Sequence, residues 1–453
     1  MNIQAGPMWA TFETPSTTVV SALGAVLSYM PEGSDYPVRL LEHCGSGIYR
    51  YPAGLTARVQ TTLDAAHIPH NVEWLKPTLE PTDLAPQAFT IRPYQASAIM
   101  SLLKGDRPGG ILQAATGAGK TAMAAKLIQL TKTRTLFVVH TKDLMKQAQD
   151  AFRKFLGIKV GQIGNGREDI QTVTVATIQT LSKGRHDAYL KTVQLAIFDE
   201  CHHVAAPTLY SVRHKMADCP MVVGLSASPW RDDGHDMLIE AACGPVKYQI
   251  TASDLVDAGY LVAPDIHIFR RQIRRDLREM KVTGNGAFAR AYKAIVTDDP
   301  SRHRLIAKLA AEQLAQGRRL LVLVKHIEHG VALTQHIPGS VFVEGNDSAN
   351  DRAAAFDAFR SGELSCLIGT SLCDEGVDIP AADALILAGA GSSSTRALQR
   401  IGRVLRPAPG KTTAYVADIV DEHPVFRRQF YSRHKIYRTE RLFRTQEIQV
   451  PLD

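Results

Sequence analysis

From about residue 89 onward, short apolar runs alternate with helix-length amphipathic stretches, and the pattern occurs in two successive series. The first holds "GGILQAAT", "RTLFVVH", "TVTVATI", "LAIFDE" and "MVVGLSAS", with segments such as "KTAMAAKLIQL" between them. The second begins near residue 301 and holds "RLLVLV", "SVFVEG", "LSCLIGTS", "ALILAG" and "TAYVADIV". Runs that are apolar at every position, rather than at every second one, are strands buried on both faces. Helices alternating with them have to cover both faces of a parallel sheet. The expected fold class is therefore α/β with two tandem domains of this kind, over 89–264 and 301–425.

Before them, residues 1–76 mix "STTVVSAL" and "GIYRYPAGL", read as β-rich, with the helical "TARVQTTLDAAH", which predicts a small α+β accessory domain. The polar stretch "KPTLEPTDLAPQAF" carries three prolines and marks a linker over 77–88. Residues 265–300 read as a basic connector or thumb-like insertion, and 426–453 as a basic, aromatic tail. Charge is uneven: residues 1–84 hold four Lys/Arg against eight Asp/Glu, whereas the whole chain is at +7. A surface for polyanions is therefore expected beyond residue 84. No apolar run approaches the ~18 residues of a membrane span, and the N-terminus lacks the pattern of a signal peptide. A cytoplasmic setting without membrane contact is expected, such as a nucleoid or a phage-infected host. The six Cys are scattered with no CxxC, which predicts reduced thiols rather than a zinc ribbon.

"AATGAGKT" (114–121) lies between an apolar strand and a helix, the context of a phosphate-binding loop. Thr116, Gly117, Ala118 and Gly119 would turn their backbone N–H groups toward phosphates, Lys120 would reach the β and γ phosphates, and Thr121 would ligate Mg²⁺. "LAIFDECHHVAAP" (195–207) then supplies two carboxylates at the end of a strand: Asp199 for the Mg²⁺ shell and Glu200 to orient the attacking water. Cys201, His202 and His203 are consecutive, so their side chains diverge and no structural zinc is expected there. They read as a core-packing Cys with His residues lining the cleft between the two domains.

These two motifs, in order, resemble those of superfamily 2 helicases, and others follow in that family's order. "IRPYQASAI" resembles the adenine-reading element, with Arg92 and Gln95 in place. "VVHTKDLMKQ" and "VATIQTL" resemble strand-contacting motifs carried by Thr141 and Thr177, and Thr370 falls in a third such place. "GLSASPWRDDG" resembles the coupling motif, Ser226, Ala227 and Ser228, with Ser228 where Thr is usual. "GTSLCDEGVDIP" implies nucleotide contacts by Gly376 and Asp378. "QRIGRVLRP" implies a catalytic Gln399 and arginine fingers Arg403 and Arg406. Arg231, Asp232 and Asp233 occupy the Arg-Glu-Asp position of the XPB/Rad25 branch, which includes archaeal XPB and phage UvsW-like helicases; a second "RED" at 167–169 is out of place.

The resemblance implies two RecA-like domains, ATP and Mg²⁺, and closure of the domains on ATP. It also implies 3′–5′ movement on DNA in repair, recombination or replication, with room for a nuclease or repair partner. A DNA-recognition role for residues 1–76 is implied by the same branch. The alternatives are a duplex translocase or annealing motor within a nuclease or restriction assembly, and an RNA helicase. A literal PD…ExK at Pro264, Asp265, Glu279 and Lys281 is charged at helical spacing, which argues against a nuclease strand.

Overall fold

A computed structural model describes residues 1–75, 78–202, 206–227, 235–282, 286–370, 382–389, 394–408 and 410–452. His203, Ser228, Arg231, Asp232, Asp233, Gly376 and Asp378 lie outside them. The chain divides into two compact units, the first Met1–Ala114 with Ala118–Ile250 and the second Thr251–Asp453 with the short segment Ala115–Gly117.

In the first unit, eight strands among the described residues form one sheet, in the order Arg167–Asp169, Gly161–Gly164, Val173–Thr177, Thr135–Val139, Leu195–Phe198, Met221–Ser226, Gly109–Ala114, Val246–Ile250. All neighbours are parallel except the first pair. Thr135–Val139, Leu195–Phe198 and Met221–Ser226 are buried at every position, which is why they read as unbroken apolar runs. The misplaced "RED" is the antiparallel edge strand. Because the central strands are parallel, the segments that follow Ala114, Phe198 and Ser226 all leave from one edge of the sheet.

The N-terminal residues of the same unit build a five-stranded sheet, ordered Glu42–Gly45, Ile48–Pro52, Trp9–Glu13, Asn2–Ala5, Asn71–Trp74, with two helices. Here "STTVVSAL" departs from expectation. It forms most of the helix Thr17–Val26, started by Ser16, whose Oγ accepts from the Val19 N–H at 3.3 Å. The N-cap outweighs the weak strand preference of Val and Thr once Val19 and Leu23 reach the core.

This small domain shares a hydrophobic core with the larger one and packs on its helix Asp236–Cys243. Arg58 pairs with Glu240 at 2.6 Å, and Tyr29 Oη lies 2.8 Å from His235 Nδ1. At Gly54 the backbones approach so closely that a Cβ would stand 2.2 Å from the Glu240 carbonyl. Gly54→Ala is therefore expected to force the two surfaces apart and destabilise the unit by ~1–3 kcal/mol. Urea unfolding checks this, and an unchanged midpoint would show that the junction yields freely.

The linker is stitched to the larger domain rather than loose: Thr82 Oγ1 donates to the Lys132 carbonyl at 2.6 Å, and Gln87 Nε2 to the Lys154 carbonyl at 2.7 Å.

In the second unit seven described strands are all parallel, ordered Ser340–Val343, Cys366–Gly369, Leu320–Leu323, Ala384–Leu387, Thr413–Asp421, Ala263–Arg271, Arg444–Val450. Two segments set apart in the sequence belong to this sheet. Residues 263–271 pair along their length with Thr413–Asp421, and the tail contributes the helix Pro424–Tyr437 and the edge strand Arg444–Val450. The basic stretch 270–281 thus starts within a strand and ends in the single helical turn Arg275–Arg278. Glu279 caps that turn and pairs with Arg275, so the ExK residues are not on a strand. Polar residues hid the strand because its charges are matched inside the protein. Arg271 Nε donates to Asp421 at 2.6 Å, its Nη1 to Asp299 at 2.7 Å, and Arg302 Nε reaches Asp421 at 3.1 Å. Asp418 likewise receives Arg433 Nη2 at 2.8 Å and the Tyr437 hydroxyl at 2.9 Å.

His329 in this unit is fully buried, stacked on His303 with ring centroids 5.4 Å apart, and neither ring nitrogen finds a hydrogen-bond partner among the described residues. Burial foremost, then Arg302 and His303, pushes its pKa from 6.5 down to about 2. Below 6.5 the unfolded chain takes up a proton that the folded chain refuses. Stability contributed by the neutral ring is therefore present above that pH and lost as pH falls, by up to ~1.4 kcal/mol per unit. His329→Leu should flatten this acid dependence in urea titrations between about pH 7 and 5; equal slopes in both proteins would refute it.

Candidate nucleotide site

Gly119 ends the phosphate loop in a left-handed conformation, φ 80°, and the helix Lys120–Thr131 starts immediately after it. Gly117 also has positive φ, 91°. A Cβ on Gly119 would meet Gln95 Nε2 at 2.5 Å, so both backbone angle and space call for glycine. The loop is held from behind by the helix Pro93–Leu103. Gln95 Nε2 and the Tyr94 hydroxyl each donate to the Ala118 carbonyl at 2.9 Å, while Gln95 Oε1 accepts from the Arg92 N–H at 2.9 Å. Gln95 is buried and both ends of its amide are engaged with backbone, so in this structure it positions the loop. Arg92 caps the helix, with Nη1 3.3 Å from the Tyr94 hydroxyl.

Lys120 donates to the Ala114 carbonyl at 3.3 Å and pairs with Glu200 at 3.1 Å, with both side chains largely shielded from solvent. Glu200 has φ 43°, rare for a residue with a Cβ and costly enough that the surroundings must impose it. They do so from both sides: the Asp199 N–H donates to Val138 at 2.9 Å and the Cys201 N–H to Leu225 at 3.1 Å. Burial foremost, and then adjacent Glu200, raises the Asp199 pKa to about 7 against the opposing pull of Lys120. The adjacent carboxylates of Asp199 and Glu200, and the hydroxyl of Thr121 in the first turn of the helix Lys120–Thr131, are oxygen donors of the kind that Mg²⁺ takes.

His202 has a part that the sequence did not reveal. It is buried, its Nδ1 lies 2.6 Å from Ser226 Oγ and 3.5 Å from Glu200 Oε2, and so it joins the carboxylate to the first residue of the coupling motif. Only the pairing of Leu195–Phe198 with Met221–Ser226 brings them together. Cys201 is fully buried and its thiol is pushed well upward by burial, so it packs as an apolar residue. Among the described residues, no group of three or more His, Cys, Asp or Glu is arranged to hold a metal.

The threonines that the resemblance assigns to strand contact each have a defined local setting. Thr141 caps the helix Lys142–Leu156, its Oγ1 accepting from Leu144 N–H at 3.2 Å. Thr177 is buried with its hydroxyl 2.8 Å from that of Thr180. Thr370 is buried just beyond the strand Cys366–Gly369. Ala227 is buried beside Ser226. Gln399 and Arg403 lie on the helix Ser394–Val404, with Arg403 buried and Arg406 half-buried just past its end.

Residues 88–231 match the family described as type III restriction enzyme, res subunit, and residues 302–408 match the helicase conserved C-terminal domain. The chain is 28% identical over 363 residues to the DNA 3′-5′ translocase XPB2 of Sulfurisphaera tokodaii, covering 72% of this chain and 81% of that one. It is 27% identical to the DNA 3′-5′ helicase XPB of Kineococcus radiotolerans, over 78% of this chain but 63% of the relative. In fold it is similar to S. cerevisiae Dbp5 bound to RNA and ADP BeF3, with TM-score 0.57, 15% identity, and coverage of 82% and 90%. No helix among the described residues is long and apolar enough to cross a membrane. With its two RecA-like domains, the chain belongs to superfamily 2 of the ATP-dependent helicases, and within it to the XPB/Rad25-like branch.

Proposed function

We propose that this protein is an ATP-driven DNA helicase of 3′–5′ polarity that remodels forked or branched DNA in repair, recombination or replication. The observation that carries the reading is the meeting of the phosphate loop, Lys120 and the Asp199–Glu200 pair on one sheet edge. The relatives named for DNA translocation supply its substrate and polarity. Lys120 would exchange Glu200 for the β and γ phosphates, freeing that carboxylate to orient water. Thr121 and Asp199 would hold Mg²⁺, which neutralises phosphate charge during transfer. The change at Glu200 would pass through His202 to Ser226. By resemblance, Gln399, Arg403 and Arg406 serve the developing charge, Arg92, Gly376 and Asp378 the nucleotide, and Thr141, Thr177, Arg231, Asp232, Asp233 and Thr370 the DNA. A nuclease or repair partner belongs to the same proposal.

A second reading, a duplex translocase that does not separate strands, is favoured by the restriction-enzyme match of the first domain. ATPase stimulation and strand separation on fork, Holliday-junction, plain duplex and RNA substrates test both. The proposal expects forked or branched DNA to stimulate best and to be unwound. Best stimulation by RNA would overturn the substrate, and stimulation by plain duplex without unwinding would establish the second reading.

A further inference from the structure

The helix Pro424–Tyr437 and the turn after it show a division of labour. Phe426, Phe430, Arg433 and Tyr437 face inward, and Arg433 and Tyr437 lock onto Asp418 of the sheet. Arg428, Tyr431, Lys435 and Arg438 are exposed, Tyr431 by 49%. Their spacings of three, four and three residues put them along one side of the helix. Between residues 424 and 445 there are seven Lys/Arg and one Asp/Glu, Glu440. That one carboxylate is buried and accepts from Ser253 Oγ at 2.7 Å and Ser253 N–H at 2.9 Å, so it neutralises nothing on the outer face. Arg428, Lys435 and Arg438 make no ion pair among the described residues. The exposed helix Ala349–Ser361 of the same unit differs: it intersperses Asp351, Arg352, Asp357 and Arg360, as a merely solvated face does.

We infer that Arg428, Lys435 and Arg438, with Tyr431 between them, form a phosphate-backbone contact for duplex DNA on the second domain, separate from the strand-contacting motifs. The inference rests on the DNA-motor reading above. Three cations without an ion pair among the described residues, spread over ~15 Å of helix, match about four base steps of a duplex strand. They contact the backbone, not base edges, as suits a protein that must move over any sequence. The inner face keeps the stripe rigid because the buried Arg433–Asp418 pair anchors the helix, and it packs beside the helix Ser394–Val404 that carries Arg403.

The test uses the full chain with a fluorescent duplex bearing a 3′ single-stranded tail, titrated at several salt concentrations. Arg428→Ala/Lys435→Ala/Arg438→Ala should lower the slope of log affinity against log salt by about 2 to 3 and weaken binding roughly tenfold. Basal ATPase without DNA and the urea midpoint should stay unchanged. The charge-preserving Arg428→Lys/Lys435→Arg/Arg438→Lys variant should restore the slope. An unchanged slope in the alanine variant overturns the inference and leaves the stripe to an acidic protein partner. A charge-preserving variant as weak as the alanine one also overturns it. If the unaltered protein neither binds DNA nor is stimulated by it, the functional reading itself fails, a result distinct from either.

Discussion

Glu200→Gln is expected to leave a protein that binds ATP but turns it over ~10²–10⁴-fold more slowly. Gln keeps the size of the side chain and the backbone that imposes φ 43°, so the loss isolates the carboxylate's charge and its capacity to accept a proton. Binding should survive because Lys120, 3.1 Å away, loses a partner that competes with phosphate. Lys120→Ala should behave oppositely, losing nucleotide binding itself, since it removes the cation proposed to meet the β and γ phosphates. Fluorescent-nucleotide titration together with single-turnover hydrolysis separates the two. Full turnover in Glu200→Gln would remove Glu200 from the chemistry, and equal nucleotide affinity in Lys120→Ala would remove the lysine from the phosphate site.

The largest structural effect is expected from Asp421→Ala, ~3–5 kcal/mol in the stability of the second domain. Asp421 is fully buried and takes Arg271 on one oxygen and Arg302 on the other. Its loss leaves two buried guanidinium groups, one of them fully enclosed, with Asp299 alone among the described residues paired to them. A joint replacement of Asp421, Arg271 and Arg302 by apolar residues should recover much of the loss, because the cost lies in the unmatched charges. Denaturant unfolding of the three proteins decides it. A loss under about 1 kcal/mol in Asp421→Ala would mean that the guanidiniums find water or other partners.

The candidate nucleotide site is legible wherever its chemistry is local. A phosphate loop needs its glycines, lysine and threonine contiguous, and a carboxylate pair at a strand end needs only the apolar run before it, so both were read directly. His202 was not legible. Its contacts with Glu200 and Ser226 depend on two strands aligned by their pairing, 24 residues apart in sequence. That Gln95, which the resemblance assigns to the nucleotide, also supports the loop from behind is not legible either, because which atoms an amide meets is set by packing and not by motif spacing.

The same division runs through the fold. Unbroken apolar runs identified the central strands, since burial on both faces leaves no room for polar residues. The edge and near-edge strands Val246–Ile250, Ala263–Arg271 and Arg444–Val450 carry charges along one side or bury them in pairs, and they were missed. Sequence by itself determined that this chain builds two parallel α/β domains with a phosphate loop and an acidic pair, because hydrophobic periodicity and loop chemistry act over a few residues. Tertiary structure alone decided which polar residues lie inside, where the basic tail turns its charges, and how Glu200 is joined to Ser226. Those outcomes come from pairing between distant strands, and only there does a buried charge meet the partner that makes its burial tolerable.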